Sequence, residues 1–502
     1  MKRIQSYLVY HPIAACVFGA ILLLLAVGCA TNPATQKREL MLVSQEKEFQ
    51  IGQRVDKQVR EEMGIYLELP KLREKVKQVV TKLGKHSHRP DVIYRVEIID
   101  TPDFNAFAVP GGFLYVHRGL LERVNSTDEM ASVLSHEIAH VAARHSAAQI
   151  SKMQLYNIGL LGLSIATGGG AQDFAPLINL GGALAFNKFS RDAEREADRF
   201  GVEYMTQAGF NPNAGIRLME QIQRLNDREP SAFDTWFLTH PPPSERIANL
   251  KQEINAMPGK DTATARPLER NEYIALLDGL AVGQWNGREL VSADRYINKE
   301  FSLSIPIPVG WQARINSKKE TAIFFDRPKE AFAHFNIQPL RKQLTSATWF
   351  SSLSSKISKS GFQKTNESIG PPLAHGALSA IFKGNSSRLG PVRLLLFAFT
   401  KNNSGFSLVA VAKENAFTTL KPLSIEMINA MRFLSQAEVS EISPPRMKIH
   451  TVRTGETWGS ITKRYYTNTQ ELNKLADYNG LTANSAPAPG MMLKIPPTLR
   501  MR

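Results

Sequence analysis

Apolar positions are patterned differently in successive stretches of the chain. An unbroken apolar run from Ile13 to Val27 falls short of the ~20 residues that a membrane helix needs. From about Leu40 to Pro258 apolar residues recur with helical periodicity, which predicts a mainly helical region. Strand patterns inside it are confined to Val92–Ile99, rich in β-branched residues, and to Ala106–Val116, interrupted by Pro110-Gly111-Gly112. The apolar stretch Leu155–Phe186 is broken at Thr167-Gly168-Gly169-Gly170-Ala171-Gln172-Asp173. Each half is too short to cross a bilayer, so a helical hairpin is expected.

Residues 259–292 read as a linker followed by a short helix. From about Ala293 to Ser435 the period shortens: Phe301-Ser302-Leu303-Ser304-Ile305 alternates, Pro308-Val309-Gly310-Trp311 turns, and Val392–Phe399 and Phe406–Val411 read as strands. This predicts an α+β domain. It has no cluster of His, Cys or acidic residues at ligand spacing, so it is expected to bind or support and not to catalyse. Glu441–Arg446, with paired prolines, forms a second linker, and a small domain occupies residues 448–497.

Composition adds little until it is combined with location. With 502 residues, 43% hydrophobic and 21% charged, the chain is long enough for two to four globular domains and is neither disordered nor fibrous. A net charge of +15 suits nucleic acid, an anionic membrane or an anionic glycan envelope alike. The N-terminus decides among these, because Lys2 and Arg3 precede the apolar run and small residues follow it, as in a signal peptide over residues 1–28. Leu25-Ala26-Val27-Gly28-Cys29 resembles a bacterial lipobox, with Ala26 where Leu is commonest; it implies lipidation of Cys29. An ordinary secretory signal or an uncleaved anchor is the other reading. Either one places the bulk of the chain outside the cytoplasm and removes nucleic acid from its partners. Only Cys16 and Cys29 are present as cysteines, so a chain cleaved before Cys29 has one cysteine, already acylated, and no disulfide.

Candidate chemistry begins at His136-Glu137-Ile138-Ala139-His140. On a helix, histidines four apart share a face and reach one metal, and Glu137 lies where it can take a proton from an attacking water. A helix is expected: Ser126-Thr127-Asp128-Glu129 offers a capping box, Met130, Val133, Leu134, Ile138 and Val141 give an apolar side, and no Pro or Gly intervenes through His145. Further on, Ser190-Arg191-Asp192-Ala193-Glu194-Arg195-Glu196-Ala197-Asp198 is by itself a charged helical stretch of the kind that faces solvent.

Taken together, these segments resemble the gluzincin peptidases that include CAAX prenyl endopeptidases, HtpX-like heat-shock proteases and a periplasmic lipoprotein branch devoted to outer-membrane maintenance. Asn105-Ala106-Phe107-Ala108-Val109-Pro110-Gly111-Gly112 upstream and Thr239-His240-Pro241-Pro242 followed by Arg246-Ile247 downstream add two further matches, over about Leu40 to Leu250. The resemblance implies a mainly α, zincin-like peptidase with a small β-sheet. It implies one zinc ion held by His136, His140 and Glu194, with Glu137 as general base and Asp198 orienting a ligand histidine. Glu196 lies about 200° round the helix from Glu194 and is expected to face away. His240, which precedes three prolines, either caps a turn or is an exchangeable fourth ligand that latches the site; a transition-state stabiliser is the third reading.

The tail carries Val452-Arg453-Thr454-Gly455-Glu456-Thr457-Trp458, Asn479-Gly480-Leu481 and Pro489-Gly490-Met491-Met492-Leu493-Lys494-Ile495-Pro496. It looks like a LysM domain, a βααβ module whose relatives bind N-acetylglucosamine-containing glycans such as peptidoglycan, with a spacer role as the alternative. The whole is expected to be a zinc endopeptidase of the bacterial cell envelope, on the periplasmic side. The expected anchor is a lipid, in the outer membrane in preference to the inner, since Ala30 follows Cys29 and not the Asp that often retains lipoproteins at the inner membrane. The expected substrates are unfolded or unassembled envelope proteins. A latched, chaperone-like lipoprotein and a peptidoglycan hydrolase are the competing readings.

Overall fold

A computed structural model describes residues 29–497 except 167–187, 227–232, 286–287, 293, 317–320, 327–329, 368, 370–371, 388 and 467–470. The signal peptide and the break of the expected helical hairpin lie outside the described residues. Two compact units result, residues 1–280 with 447–496, and residues 281–446 with 497–502. Among the described residues no helix is long and apolar enough to cross a membrane.

The first unit opens with an antiparallel pair, β1 (Cys29–Thr31) and β2 (Arg38–Leu40). The Asn32 side chain turns the chain between them: its Oδ1 accepts from the amides of Ala34 and Thr35 at 2.9 and 3.2 Å. Helix α1 (Gln45–Met63) starts at Ser44, whose side chain accepts from the Lys47 amide, and buries Ile51, Val55 and Val59 along one face. Helix α2 (Pro70–Gly84) begins on proline at its first position and buries Leu72, Val76, Val79 and Leu83.

Three strands follow, β3 (Arg95–Ile99), β4 (Ala106–Val109) and β5 (Phe113–His117). Their order is β3-β5-β4, with β5 parallel to β3 and antiparallel to β4. The β4–β5 hairpin requires glycine: Gly111 and Gly112 have φ of 82° and 90°, and a Cβ on Gly111 would lie 2.7 Å from the Phe49 Cα. Further helices of this unit include α3 (Arg118–Arg123), α4 (Thr127–Ala142), α5 (His145–Ala166), α6 (Arg191–Gln207), α7 (Asn213–Asn226), α8 (Asp234–Thr239) and α9 (Pro243–Ala256). Helix α4 packs on α2, α6, α7 and β4. Of its residues Ser132 alone is not buried, so it is the central rod of the unit.

The second unit is richer in strands. A seven-stranded antiparallel sheet has the order β10-β11-β12-β16-β15-β14-β13, formed by β10 (Gln312–Asn316), β11 (Thr321–Asp326), β12 (Ala331–Pro339), β13 (Gln363–Lys364), β14 (Leu378–Ser386), β15 (Gly390–Lys401) and β16 (Ser404–Lys413). Strict alternation splits its side chains: Leu394 and Leu396 lie with Trp349 of helix α10 (Ser346–Lys359), whereas Leu395 and Phe397 lie with Phe417 and Leu420 of helix α11 (Glu414–Asn429). A five-stranded sheet of order β17-β9-β8-β7-β6, formed by β6 (Gln284–Trp285), β7 (Glu289–Val291), β8 (Arg295–Asn298), β9 (Leu303–Pro306) and β17 (Arg432–Phe433), completes this α+β unit.

The chain then returns to the first unit with β18 (Lys448–Thr451), α12 (Trp458–Tyr465), α13 (Leu472–Tyr478) and β19 (Met492–Ile495), where β18 and β19 pair antiparallel. This is the expected βααβ module, and it is packed against the helical region. The buried Lys494 Nζ donates to the carbonyls of Glu122, Arg123 and Val124 at 2.8, 3.1 and 3.0 Å, covering the C-terminal end of α3. Asn271 accepts from the Met492 amide and donates to the Gly490 carbonyl, both at 2.9 Å, and the Tyr478 hydroxyl donates to the Glu122 carboxylate.

Candidate metal centre

Helix α4 supplies the first half of the site. Its start follows from the sequence: the Ser126 hydroxyl accepts from the Glu129 amide at 3.1 Å, and Glu129 Oε2 accepts from the Asn125 amide at 2.6 Å, one residue earlier than in a standard capping box. Its end does not. The uninterrupted helix expected through His145 stops at Ala142, because Arg144 adopts a left-handed φ of 55°. That conformation costs an ordinary residue about 1–3 kcal/mol. Its guanidinium offsets the cost by donating to Glu48 Oε2 at 3.0 Å and to the Val43 carbonyl at 2.7 Å.

Within α4, the rings of His136 and His140 sit one turn apart with their Nε2 atoms 3.1 Å apart. Helix α6 lays Glu194 against them, its carboxylate oxygens 3.5 Å from His136 Nε2 and 3.6 Å from His140 Nε2. Ser190 starts that helix by accepting from the Ala193 amide, which fixes Glu194 in its first turn. His240 arrives from the end of α8. Its amide donates to the Trp236 carbonyl at 2.9 Å and so caps α8, while its Nδ1 stands 3.2 Å from Glu194 Oε2 and its Nε2 3.6 Å from Glu137 Oε1. His240 thus ends α8 through its amide and reaches the cluster through its ring.

Donor atoms of His136, His140, Glu194 and His240 all lie within 4.8 Å of one another, and all four residues are buried. Nitrogen ligands at about 2.0–2.1 Å in a tetrahedral shell stand about 3.3 Å apart, close to the spacing of the two histidines. Three buried polar atoms at the same place, Glu137 Oε1, Glu194 Oε1 and His240 Nε2, have no hydrogen-bond partner among the described residues. Uncompensated acceptors converging in a buried site fit a cation, and two to three imidazoles with a carboxylate suit zinc.

The electrostatics agree with these roles. Burial raises the Glu137 carboxyl above the usual range, against the opposing pull of His240 and His136, which favours proton exchange. Burial works the same way on Glu194, yet the neighbouring His240 and His136 outweigh it and hold this carboxyl well below the usual range. Asp198 is likewise held low despite its burial, chiefly by Arg246. It lies 2.9 Å from His136 Nδ1 and 2.5 Å from Arg246 Nη2. With Nε2 of His136 turned to the cluster, its Nδ1–H donates to Asp198 and the tautomer is set.

All the candidate ligands are thus brought together, and Glu196 is outside the ligand group. Four contributors had no assigned role in the sequence reading. Arg246 lay in a matched motif without a function. The Phe189 ring stacks on His140 with centroids 4.2 Å apart, and Trp236 packs on His240, also at 4.2 Å. His145 touches His140. Cys29 begins β1, so the residues that follow it are folded and not a free tether.

Known proteins place this arrangement. Residues 70–254 match Peptidase family M48, a span containing α4, Glu194 and His240, and residues 450–496 match the LysM domain. The chain carries an M48 metalloendopeptidase domain. The beta-barrel assembly-enhancing protease of Escherichia coli (strain K12) is 26% identical over 390 residues, 73% of this chain and 74% of that protein. Mitochondrial metalloendopeptidase OMA1 of Schizosaccharomyces pombe is 32% identical over 225 residues, 44% of this chain and 65% of that protein. A solved cyanobacterial PsbP from Synechocystis aligns with 30% of this chain and 98% of its own at 13% identity and a TM-score of 0.21, too slight a likeness to carry an argument. The M48 match accounts for the helical unit with its small sheet, and the LysM match for the βααβ module packed on it.

Proposed function

We propose that this protein is a zinc-dependent endopeptidase of the bacterial cell envelope, with one zinc per chain, that cleaves misfolded or unassembled envelope proteins. The observation that carries the reading is the buried convergence of His136, His140 and Glu194 beside Glu137. Bound there, zinc would polarise the scissile carbonyl and acidify the attacking water. Glu137 takes the proton of that water and returns it to the leaving amine, a task suited to its raised affinity for protons. His136 and His140 are held in register by α4, and Asp198 with Arg246 fixes the ring of His136. Strand β4 is an outer strand of its sheet and packs on α4, and because all four of its residues are buried, an extended substrate would add to it by main-chain hydrogen bonds only once its cover moves aside.

Support for envelope substrates comes from the similarity to a beta-barrel assembly-enhancing protease, and support for peptidoglycan as a partner comes from the LysM match. A lipid on Cys29 would hold the protein at the outer membrane, on the periplasmic side. The working parts in this reading are a peptidase region over residues 40–258, an α+β region over 293–435 and the LysM-like module over 448–497. The position of His240 favours a second reading of the resting state. With its Nδ1 3.2 Å from Glu194, His240 fills the place a water needs, and the enzyme is latched until the α8–α9 turn moves. A latched protein acts mainly by holding its clients.

The test is metal analysis with a cleavage assay. Purified protein is expected to contain one zinc, to cut unfolded casein, to lose that activity to a chelator and to regain it on adding zinc. Cleavage that persists after zinc has been stripped would refute the reading.

A further inference from the structure

The second ligand histidine, His140, has no carboxylate of its own comparable to Asp198 behind His136. Its Nδ1 instead meets the Nδ1 of His145 at 2.8 Å. His145 is buried, and its other nitrogen, Nε2, lies 3.3 Å from Glu196 Oε2. The left-handed turn at Arg144 creates this meeting, because it ends α4 after His140 and brings the first residue of α5 back over the site.

The proton positions follow from the outer and inner ends of this chain. His140 Nε2 faces the cluster, 3.6 Å from Glu194 Oε1, and a ligating nitrogen carries no proton. The ring proton of His140 is therefore on Nδ1 and is donated to His145. As the acceptor, His145 Nδ1 is bare, so the proton of His145 sits on Nε2 and points to the Glu196 carboxylate. We propose that His145 and Glu196 are positioning residues for the zinc ligand His140, forming a His140–His145–Glu196 relay that parallels the direct His136–Asp198 bond. The proposal rests on the zinc-site reading above.

The relay fixes the tautomer and ring plane of His140 and makes its Nε2 a better donor, as such outer partners do for metal-bound imidazoles. The Phe189 ring stacked on His140 closes one face of the relay. Its outer end is wet: Glu196 is about a quarter exposed and faces a polar pocket of about 700 Å³ shared with Lys37, Glu39 and Arg199. Glu196 is therefore replaceable without opening the core. The Lys37 ammonium stands 3.8 Å from Glu196 but is itself largely exposed, and a pair of that kind contributes little.

The experiment measures zinc affinity of the full chain by competition with a chromophoric chelator, with thermal unfolding of the metal-free protein as the folding control and the visible spectrum of the cobalt-substituted protein as the geometric readout. Glu196→Ala and His145→Phe are expected to weaken zinc binding about 10- to 100-fold and to shift the cobalt bands, with metal-free unfolding of Glu196→Ala unchanged. His145→Gln, which keeps an acceptor and a donor, is expected to restore most of the affinity, and Lys37→Ala to behave as wild type. If His145→Phe does not fold, Glu196→Ala decides alone. Wild-type zinc affinity in folded Glu196→Ala, or His145→Gln binding as weakly as a folded His145→Phe, would overturn the relay. Failure of the wild-type protein to bind zinc at all would instead refute the zinc site.

Discussion

At the scale of single residues, the motif His136–His140 was legible because its chemistry is written in residue type and helical spacing, whereas the charged stretch at Glu194 reads alone as a solvated helix face and took its ligand role only from the resemblance to the gluzincin peptidases. Glu196 shows the limit of that reading. Helical geometry correctly turned it away from the ligand group, yet it could not show that the side chain meets His145 across a turn between two other helices. Lys494 was equally hidden, since a lysine near the end of a small domain reads as solvated. It is fully buried and its three donated bonds close the carbonyl end of α3, only a few residues ahead of α4. Lys494→Met keeps the apolar stem and leaves those carbonyls without a donor. The substitution is expected to destabilise the first unit by about 1–3 kcal/mol, read as a lower midpoint in urea unfolding; an unchanged midpoint would show that the cap is dispensable.

Among the elements, periodicity located α4, α6 and the β4–β5 hairpin well, the last through its paired glycines. The division between α4 and α5 was not legible, because it depends on a left-handed Arg144 that Glu48 and Val43 hold from far along the chain. No local rule asks an arginine to break a helix. The α8–α9 turn carries a different consequence. His240 caps α8 through its amide and reaches the cluster through its ring, so movement of this turn empties a position beside Glu137. Under the latched reading His240→Ala raises casein cleavage and self-cleavage in proportion to the closed fraction it releases. Zinc stays bound through His136, His140 and Glu194. A fall in activity with zinc retained would refute the latch and assign His240 to transition-state stabilisation.

For the whole molecule, the sequence pattern separated the mainly helical region from the α+β region, because the change of period marks a change of architecture; the βααβ form of the tail rested on its resemblance to a LysM domain. What the pattern lacked was the return of the chain, in which residues 447–496 join the compact unit that holds the metal centre. Nothing in the local pattern of a small module tells which surface it covers. With Cys29 opening β1 and Asn32 Nδ2 donating to the Ala143 carbonyl at the end of α4 at 2.8 Å, a lipid on Cys29 would set the metal centre close to the membrane surface. All of this presupposes that the centre hydrolyses peptide bonds with Glu137 as the base. The most direct measurement is zinc content and unfolded-casein cleavage, side by side, in wild type and Glu137→Gln. The variant is expected to retain its zinc and to cleave at least about a hundredfold more slowly, whereas undiminished cleavage by zinc-loaded Glu137→Gln would contradict the assignment.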